Sequence, residues 1–396
     1  MNQDRALTRR FALLQAGFFG AYAGTSFFSY ILLKQDVPNA YIGLLGALTS
    51  CSCTLIQPVW GIVCDRFRCH RLFYFLTAAA MPLLYLCITR TASLPVLALC
   101  AALSGMLVNC MQNMGNGWIS SLNAEGHAID YGTSRSCGSF AFAIMAVVLG
   151  WAVNCWGYAG LIGGMALCGA VCVAVSLTLP RSTGRGVRTE AAGEEAPTLK
   201  EGLAILLRQR PYVVMLGCAF LAMMGLAGVS SYFSAYLGTL GADAFVVGLG
   251  NFAYAIAEVP FMFLSQRLLR RFPFEKLFAV CLFAHGAQCL LVGVSPNYVC
   301  AILAMLLQGL SFGTLVPCLQ DYTARHIDDR YASTAQLFTS AVALSASMIF
   351  GGLFSSALSR TLSLPATFMA ASLCSFGGCA VYVLYTALAG KRRAGV

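Results

Sequence analysis

Apolar stretches long enough to cross a bilayer alternate with polar segments along the whole chain. A spanning helix needs about 20 consecutive, mostly apolar residues. Such stretches lie near 11–33, 41–64, 72–89, 94–122, 132–156, 158–179, 212–236, 244–266, 276–294, 298–322, 332–357 and 364–389. The connecting segments are short, with one exception between Pro180 and Arg210. That stretch carries Gly184, Gly186, Glu190, Gly193, Glu194, Glu195 and Lys200 and few apolar residues, so it reads as a flexible linker. The pattern predicts an all-α membrane protein of twelve transmembrane helices: an N-terminal six-helix half over 1–180, a cytoplasmic linker over 181–210 and a C-terminal six-helix half over 211–396.

Inside the spans, the polar positions call for explanation. Span four carries Asn109, Gln112, Asn113, Asn116 and Ser120 at steps of three and four, which places most of them on one helix face. Span one carries Gln15, Tyr22, Ser26 and Ser29, and span eight carries Asn251, Tyr254 and Glu258. Spans ten and eleven add Gln308, Ser311, Thr314, Gln336 and Ser340. Single serines and threonines read as contacts between helices, worth about 0.6 kcal/mol each. A stack of side-chain amides reads as the lining of a wet cavity, because unpaired amides in hydrocarbon are costly.

Glu258 is the carboxylate set deepest in a span. A charged group there costs about 2.5–3.5 kcal/mol on insertion scales, so it faces a cavity or a partner. Two roles suit it: exchanging a proton during a transport cycle, or staying protonated in a hydrogen bond to a neighbouring helix. His285 in span nine and His127 before span five read as satisfied structural residues.

Charge then orients the helices. With the N-terminus cytoplasmic, 22 of the 25 Lys and Arg fall in inner segments, leaving only Lys34, Arg90 and Arg360 outside. The positive-inside rule therefore places both termini in the cytoplasm of a cell membrane. It also turns the net charge of +10 into a topology signal rather than a nucleic-acid footprint.

Only 10% of the 396 residues are charged and 59% are hydrophobic, whereas a soluble domain is about one quarter charged. The 18 cysteines lie mostly inside the spans and read as small buried apolar residues; Cys51 and Cys53 lack a partner cluster, so no metal site is expected. Arg9 and Arg10 before Phe11 faintly resemble a twin-arginine export signal, but the following apolar run is full membrane length and reads as an uncleaved first helix.

Several motifs resemble those of the major facilitator superfamily. Gly61, Asp65, Arg66, Arg68 and Arg71 sit between spans two and three in a pattern similar to G-x-x-x-D-R-x-G-R-R, with Arg68 at the second Gly. The resemblance implies that Gly61 permits close helix contact, and that Asp65 and Arg66 act at a cytoplasmic gate. Tyr131, Gly132, Arg135, Gly138 and Ser139 resemble the Y-G-x-x-R-x-x-G-S segment of the proton symporter branch containing lactose permease, nucleoside permease and phenylpropionate permease. Glu258 and Pro260 resemble that branch's E-x-P element, and Leu307 to Gly313 its L-H-G-L-T-F-G element. Gln308 and Ser311 depart from it, standing where the branch has a His and where lactose permease has a proton-carrying Glu.

The residues and the resemblance together lead to one expectation: a monomeric secondary transporter for a small polar or weakly acidic organic solute, working by alternating access. Glu258 and Arg135 are expected to couple protons, with Gln15, Tyr22, Asn113, Asn116, Asn251, Tyr254 and Gln308 contacting substrate. The alternative within the same superfamily is an uncoupled facilitator or efflux carrier. No H-E-x-x-H motif and no paired intramembrane acids occur, so neither an enzyme nor a bound cofactor is expected.

Overall fold

A computed structural model describes residues 2–180 and 199–394. Among them there is no strand, and twelve helices have the length and apolarity to cross a membrane: Asp4–Lys34, Asn39–Cys64, His70–Arg90, Leu94–Ala124, Tyr131–Trp156, Tyr158–Thr178, Arg210–Thr239, Ala244–Phe261, Phe274–Gly293, Tyr298–His326, Thr334–Leu358 and Leu364–Ala389. These are numbered spans one to twelve. Large apolar side chains such as Leu55, Leu83, Leu167, Leu303 and Leu373 stand exposed along them, as a chain solvated by lipid requires.

The chain forms two compact units. The first comprises Met1–Val37, Leu48–Glu194 and Leu237–Ala255; the second comprises Pro38–Ala47, Glu195–Tyr236 and Ile256–Val396.

Small residues set the packing in the first unit. Span one lies against spans five and six. A Cβ on Gly17 would come within 3.0 Å of the Cys172 backbone, and Phe19 fills the space over Gly138. Span five begins where Asp130 caps it, accepting from the Thr133 N–H at 3.2 Å. Further along the same helix, Gly150 faces the Ala244 carbonyl while Gly248 faces that of Ala146, so the start of span eight touches span five backbone to backbone.

In the second unit, span nine packs against spans ten and twelve. Phe278 meets Tyr382 edge-on at 4.6 Å, and Phe376 covers Gly286. The beginning of span two belongs here too: the Gly43 N–H donates to the Tyr232 hydroxyl at 3.0 Å, and Ser356 Oγ donates to the Ala40 carbonyl at 2.5 Å.

Four spans are interrupted. Span one runs through a 3₁₀ segment at Ala23–Phe27, and spans four and eleven pass through π-helical segments at Ser104–Asn109 and Ser340–Ala346. Span ten stops at Met305 and restarts at Gln308. Spans one, four, ten and eleven are also four of the five spans whose polar positions stand out in the sequence. The fifth, span eight, contains Pro260.

Two sequence readings need correction. The linker is not irregular throughout: Leu199–Arg208 is a helix, with Leu206 fully buried and Thr334 packed over Gly202. Residues 181–198 lie outside the described residues. Nor, among the described residues, does Gly61 make a close helix contact, since a Cβ built there would meet nothing within 4 Å.

Arg68, at the second Gly of the gate-like motif, keeps the backbone that glycine favours, with φ of 54° just past the end of span two's helix at Phe67. Left-handed backbone costs an L-residue about 1–2 kcal/mol, partly offset by the greater unfolded-state entropy of Gly. Arg68→Gly is therefore expected to stabilise the protein by about 0.5–1 kcal/mol. The check is the thermal unfolding midpoint in detergent, where an unchanged or lower value would contradict this reading.

Candidate functional site

In the second unit a hydrogen-bonded chain of polar side chains joins spans eight, nine and ten. Gln308 Nε2 donates to Glu258 Oε1 at 3.0 Å, Gln288 Nε2 donates to Gln308 Oε1 at 2.9 Å, and Ser311 Oγ donates to Gln288 Oε1 at 2.8 Å. Gln288, Gln308 and Ser311 are fully buried, whereas Glu258 is half-buried. Every donor in the chain points towards the carboxylate, an orientation that polarises each bond in the same sense.

Local sequence explains this placement. Gly309 and Gly313, four residues apart on span ten, let its backbone approach span eight; small residues at this spacing are the usual means of close helix contact in membranes. A Cβ on Gly309 would collide with the Ala257 carbonyl, and one on Gly313 would lie 3.2 Å from the Glu258 carbonyl. The interruption of span ten puts Gln308 in the first turn of its second helix, the end at which a helix dipole favours a nearby negative charge. Span four, the corresponding member of the first half, is interrupted as well. Paired interruptions at matching positions are a marker of transporter binding sites.

Gln288 escaped the sequence reading because it sits in an otherwise apolar span. The available signal was its spacing of three from His285, which puts both on one face. His285 Nδ1 donates to the Cys281 carbonyl at 2.9 Å. Its buried Nε2 has no hydrogen-bond partner among the described residues, so the residue is only half satisfied.

In the first unit, Arg135 Nη1 donates to Ser139 Oγ at 2.9 Å, and its guanidinium lies 4.4 Å from the Phe19 ring centroid. Tyr22 makes tilted ring contacts with Phe18 and Phe142 and an edge-on contact with Phe19.

A second polar cluster spans helices one, three and four. Trp118 is in ring contact with Phe11, His70 and Tyr74, and the Tyr74 hydroxyl and Gln15 Nε2 converge over Gly115. Both amide atoms of Gln15, Thr77 Oγ1, Asn116 Oδ1 and Trp118 Nε1 are buried without hydrogen-bond partners among the described residues. Buried polar groups are nearly always paired, so this cluster is chemically incomplete as it stands.

The remaining expected residues are dispersed. Asn251 Nδ2 donates to the Val247 carbonyl of its own helix at 2.9 Å, and Tyr254 is half-buried one turn on. Arg66 is exposed and lies over the Phe67 ring. The side chains of Asn113 and Asp65 lie outside the described set. Gln336 and Ser340 line a small cavity of about 30 Å³ with Gln320 and Thr323 of span ten. Among the described residues, no group of three or more His, Cys, Asp or Glu side chains could hold a metal ion.

Residues 14–370 match the sequence profile of the MFS_1 like family. The chain is 24% identical over 359 residues to the maltose permease of Geobacillus stearothermophilus, covering 90% of this chain and 88% of that one. It is 21% identical over 335 residues to the uncharacterized transporter YwbF of Bacillus subtilis (strain 168), covering 81% and 80%. Its fold superposes on the nucleoside transporter NupG with a TM-score of 0.79 at 16% identity, over 96% of this chain and 98% of that one. A bacterial homolog of the human lysosomal transporter Spinster, in an inward-facing and occupied conformation, gives 0.64 at 16% identity, over 97% of both chains.

Proposed function

The chain belongs to the MFS_1 like family and is a multi-pass membrane transporter of the major facilitator superfamily; from that premise we propose that it moves a polar, hydroxyl-rich or weakly acidic organic solute by proton-coupled symport. One observation carries the coupling: a half-buried carboxylate, Glu258, at the end of a hydrogen-bonded chain whose donors all face it.

Ionised Glu258 accepts from the Gln308 amide, a charge-assisted bond worth about 1.5–3 kcal/mol. Protonation removes the charge and turns one carboxyl oxygen into a donor. A proton on Oε1 would oppose the Gln308 N–H, so it settles on Oε2 or inverts the Gln308 and Gln288 amides. Either outcome links the protonation state to contacts among spans eight, nine and ten. Gln308, with its amide already engaged, serves to position Glu258 rather than to touch the solute.

The solute class rests on two supports. The incomplete cluster around Gln15, Thr77, Asn116 and Trp118 offers donors, acceptors and an indole, which suit a hydroxyl-bearing ring. The named relatives are a maltose permease and a nucleoside transporter, whose solutes both carry sugar rings. Asn113, Tyr22, Asn251 and Tyr254 are assigned to the solute as well, and Arg135 to an anionic group or a carboxylate. Asp65, Arg66 and Gly61 are assigned to the cytoplasmic gate, reached in another state of the cycle. The protein works as a monomer in the cell membrane, with both termini in the cytoplasm.

The test is solute uptake by proteoliposomes with a pH-sensitive dye outside. Addition of a transported sugar or nucleoside is expected to alkalinise the medium as protons enter with it. Solute uptake without that signal would establish the uncoupled carrier instead, a reading favoured by the neutral Gln308 and Ser311.

A further inference from the structure

A cavity of about 370 Å³ opens at the end of the first unit where span one begins and span six ends. Its walls include Leu7 and Arg10 of span one, Arg71 of span three, His127 of the segment before span five, and Thr178 and Leu179. Three basic side chains thus face one open space. Asp4, 3.8 Å from His127, is the acid beside them.

Part of this arrangement is structural. Arg10 Nη1 donates to the Thr178 carbonyl at 3.0 Å, and Arg71 Nη2 donates to that of Leu179. Cations are suited to a helix C-terminus, where carbonyls lack intrahelical partners. Capping engages one nitrogen of each guanidinium. It accounts neither for the cavity nor for Arg71 Nε, a buried donor without a partner among the described residues. A guanidinium is matched to carboxylate and phosphate oxygens, and its orphan donor points to an anion.

The neighbouring surface indicates what carries that anion. Leu13 lies three residues from Arg10 on the same helix face, and Phe75 four residues from Arg71; they are 56% and 53% exposed. Leu177, just before the capped carbonyls, is 62% exposed. A cationic cavity with exposed apolar side chains directly on its bilayer side has the profile of a phospholipid, headgroup in the cavity and acyl chains along Leu13, Phe75 and Leu177.

We propose that Arg10, Arg71 and His127 form a binding site for the phosphate of an anionic phospholipid in the cytoplasmic leaflet. The leaflet follows from the orientation proposed above; the site itself does not depend on proton coupling or on the solute.

The purified full chain in mild detergent supplies the test, by native mass spectrometry and thermal unfolding with phosphatidylglycerol, phosphatidylcholine or inorganic phosphate. Phosphatidylglycerol is expected to remain bound and raise the unfolding midpoint, while phosphatidylcholine and inorganic phosphate have much weaker effects. Each basic side chain near an anionic surface contributes about a fivefold preference, so Arg10→Gln with Arg71→Gln is expected to weaken phosphatidylglycerol retention about 30-fold. Because Arg71 also caps span six, Arg10→Gln alone, with about a fivefold loss, keeps the test valid if the double variant fails to fold. Arg9→Gln, exposed and outside the cavity, is the control expected to retain the lipid fully. Equal binding of phosphatidylcholine, or full retention of phosphatidylglycerol by Arg10→Gln, would overturn the proposal. Inorganic phosphate matching phosphatidylglycerol would overturn the lipid assignment and make the ligand a soluble phosphate.

Discussion

Glu258→Gln is expected to abolish solute accumulation driven by a pH gradient, by at least about tenfold, while preserving exchange of solute across preloaded proteoliposomes. Gln matches Glu in size, and its carbonyl can still accept from Gln308 Nε2, now 3.0 Å from Glu258 Oε1. What disappears is the ability to gain and lose a proton. Exchange needs only the loaded carrier to reorient, so it survives; net accumulation needs the proton to leave on the other side. Gln308→Leu supplies the contrast. It leaves the carboxylate in place but strips the N–H that Glu258 uses and abandons Gln288 Nε2, both within a buried chain. That variant is expected to lose stability by about 1–3 kcal/mol and to shift the pH profile of uptake rather than erase coupling. If the Glu258→Gln protein accumulates solute as the parent does, Glu258 has no part in coupling.

The spans were legible because membrane crossing imposes a single physical demand, length in apolar residues, and the chain meets it twelve times. Glu258 was legible for the complementary reason: its cost in hydrocarbon makes it conspicuous. Its partners were harder to see. Gln308 and Ser311 show as polar positions, but nothing in their spacing says that they bond through Gln288, which lies on another span inside an apolar run. That link depends on three-dimensional packing, set by Gly309 and Gly313 together. The interruptions in spans one, four, ten and eleven were equally hidden, since the polar positions single out those spans without saying where the helix breaks.

Leu199–Arg208 was missed for a different reason. Leu199, Leu203 and Leu206 recur at helical spacing, but the segment is short and follows a run of charge and glycine. Isolated helices of that length are marginal in water. Burial of Leu206, with Thr334 over Gly202, supplies the support that local sequence could not reveal. The motif between spans two and three shows the opposite case. Arg68 breaks the glycine pattern yet keeps the glycine-like φ of 54°, so the backbone shape outlived the residue that normally secures it.

A glycine series on spans two and ten is expected to give the largest structural effect. At Gly309 a methyl group would collide with the Ala257 carbonyl and the Phe261 ring. A backbone carbonyl cannot rotate aside as a side chain can, so span ten must move away from span eight. Overpacking of this kind costs about 1–3 kcal/mol, more than the roughly 1 kcal/mol that Ala gains over Gly in a helix. The same displacement lengthens the 3.0 Å bond from Gln308 to Glu258, so coupling falls together with stability. At Gly313 the added carbon would lie 3.2 Å from the Glu258 carbonyl and 3.4 Å from its Cα, which a shift of a few tenths of an ångström relieves. At Gly61 it would meet nothing within 4 Å. Thermal unfolding midpoints are therefore expected to order as Gly309→Ala lowest, Gly313→Ala intermediate and Gly61→Ala at or above the parent, with Gly309→Leu unable to support uptake. A Gly309→Ala protein as stable and as active as the parent would mean that the close approach of spans eight and ten does not hold the carboxylate in place.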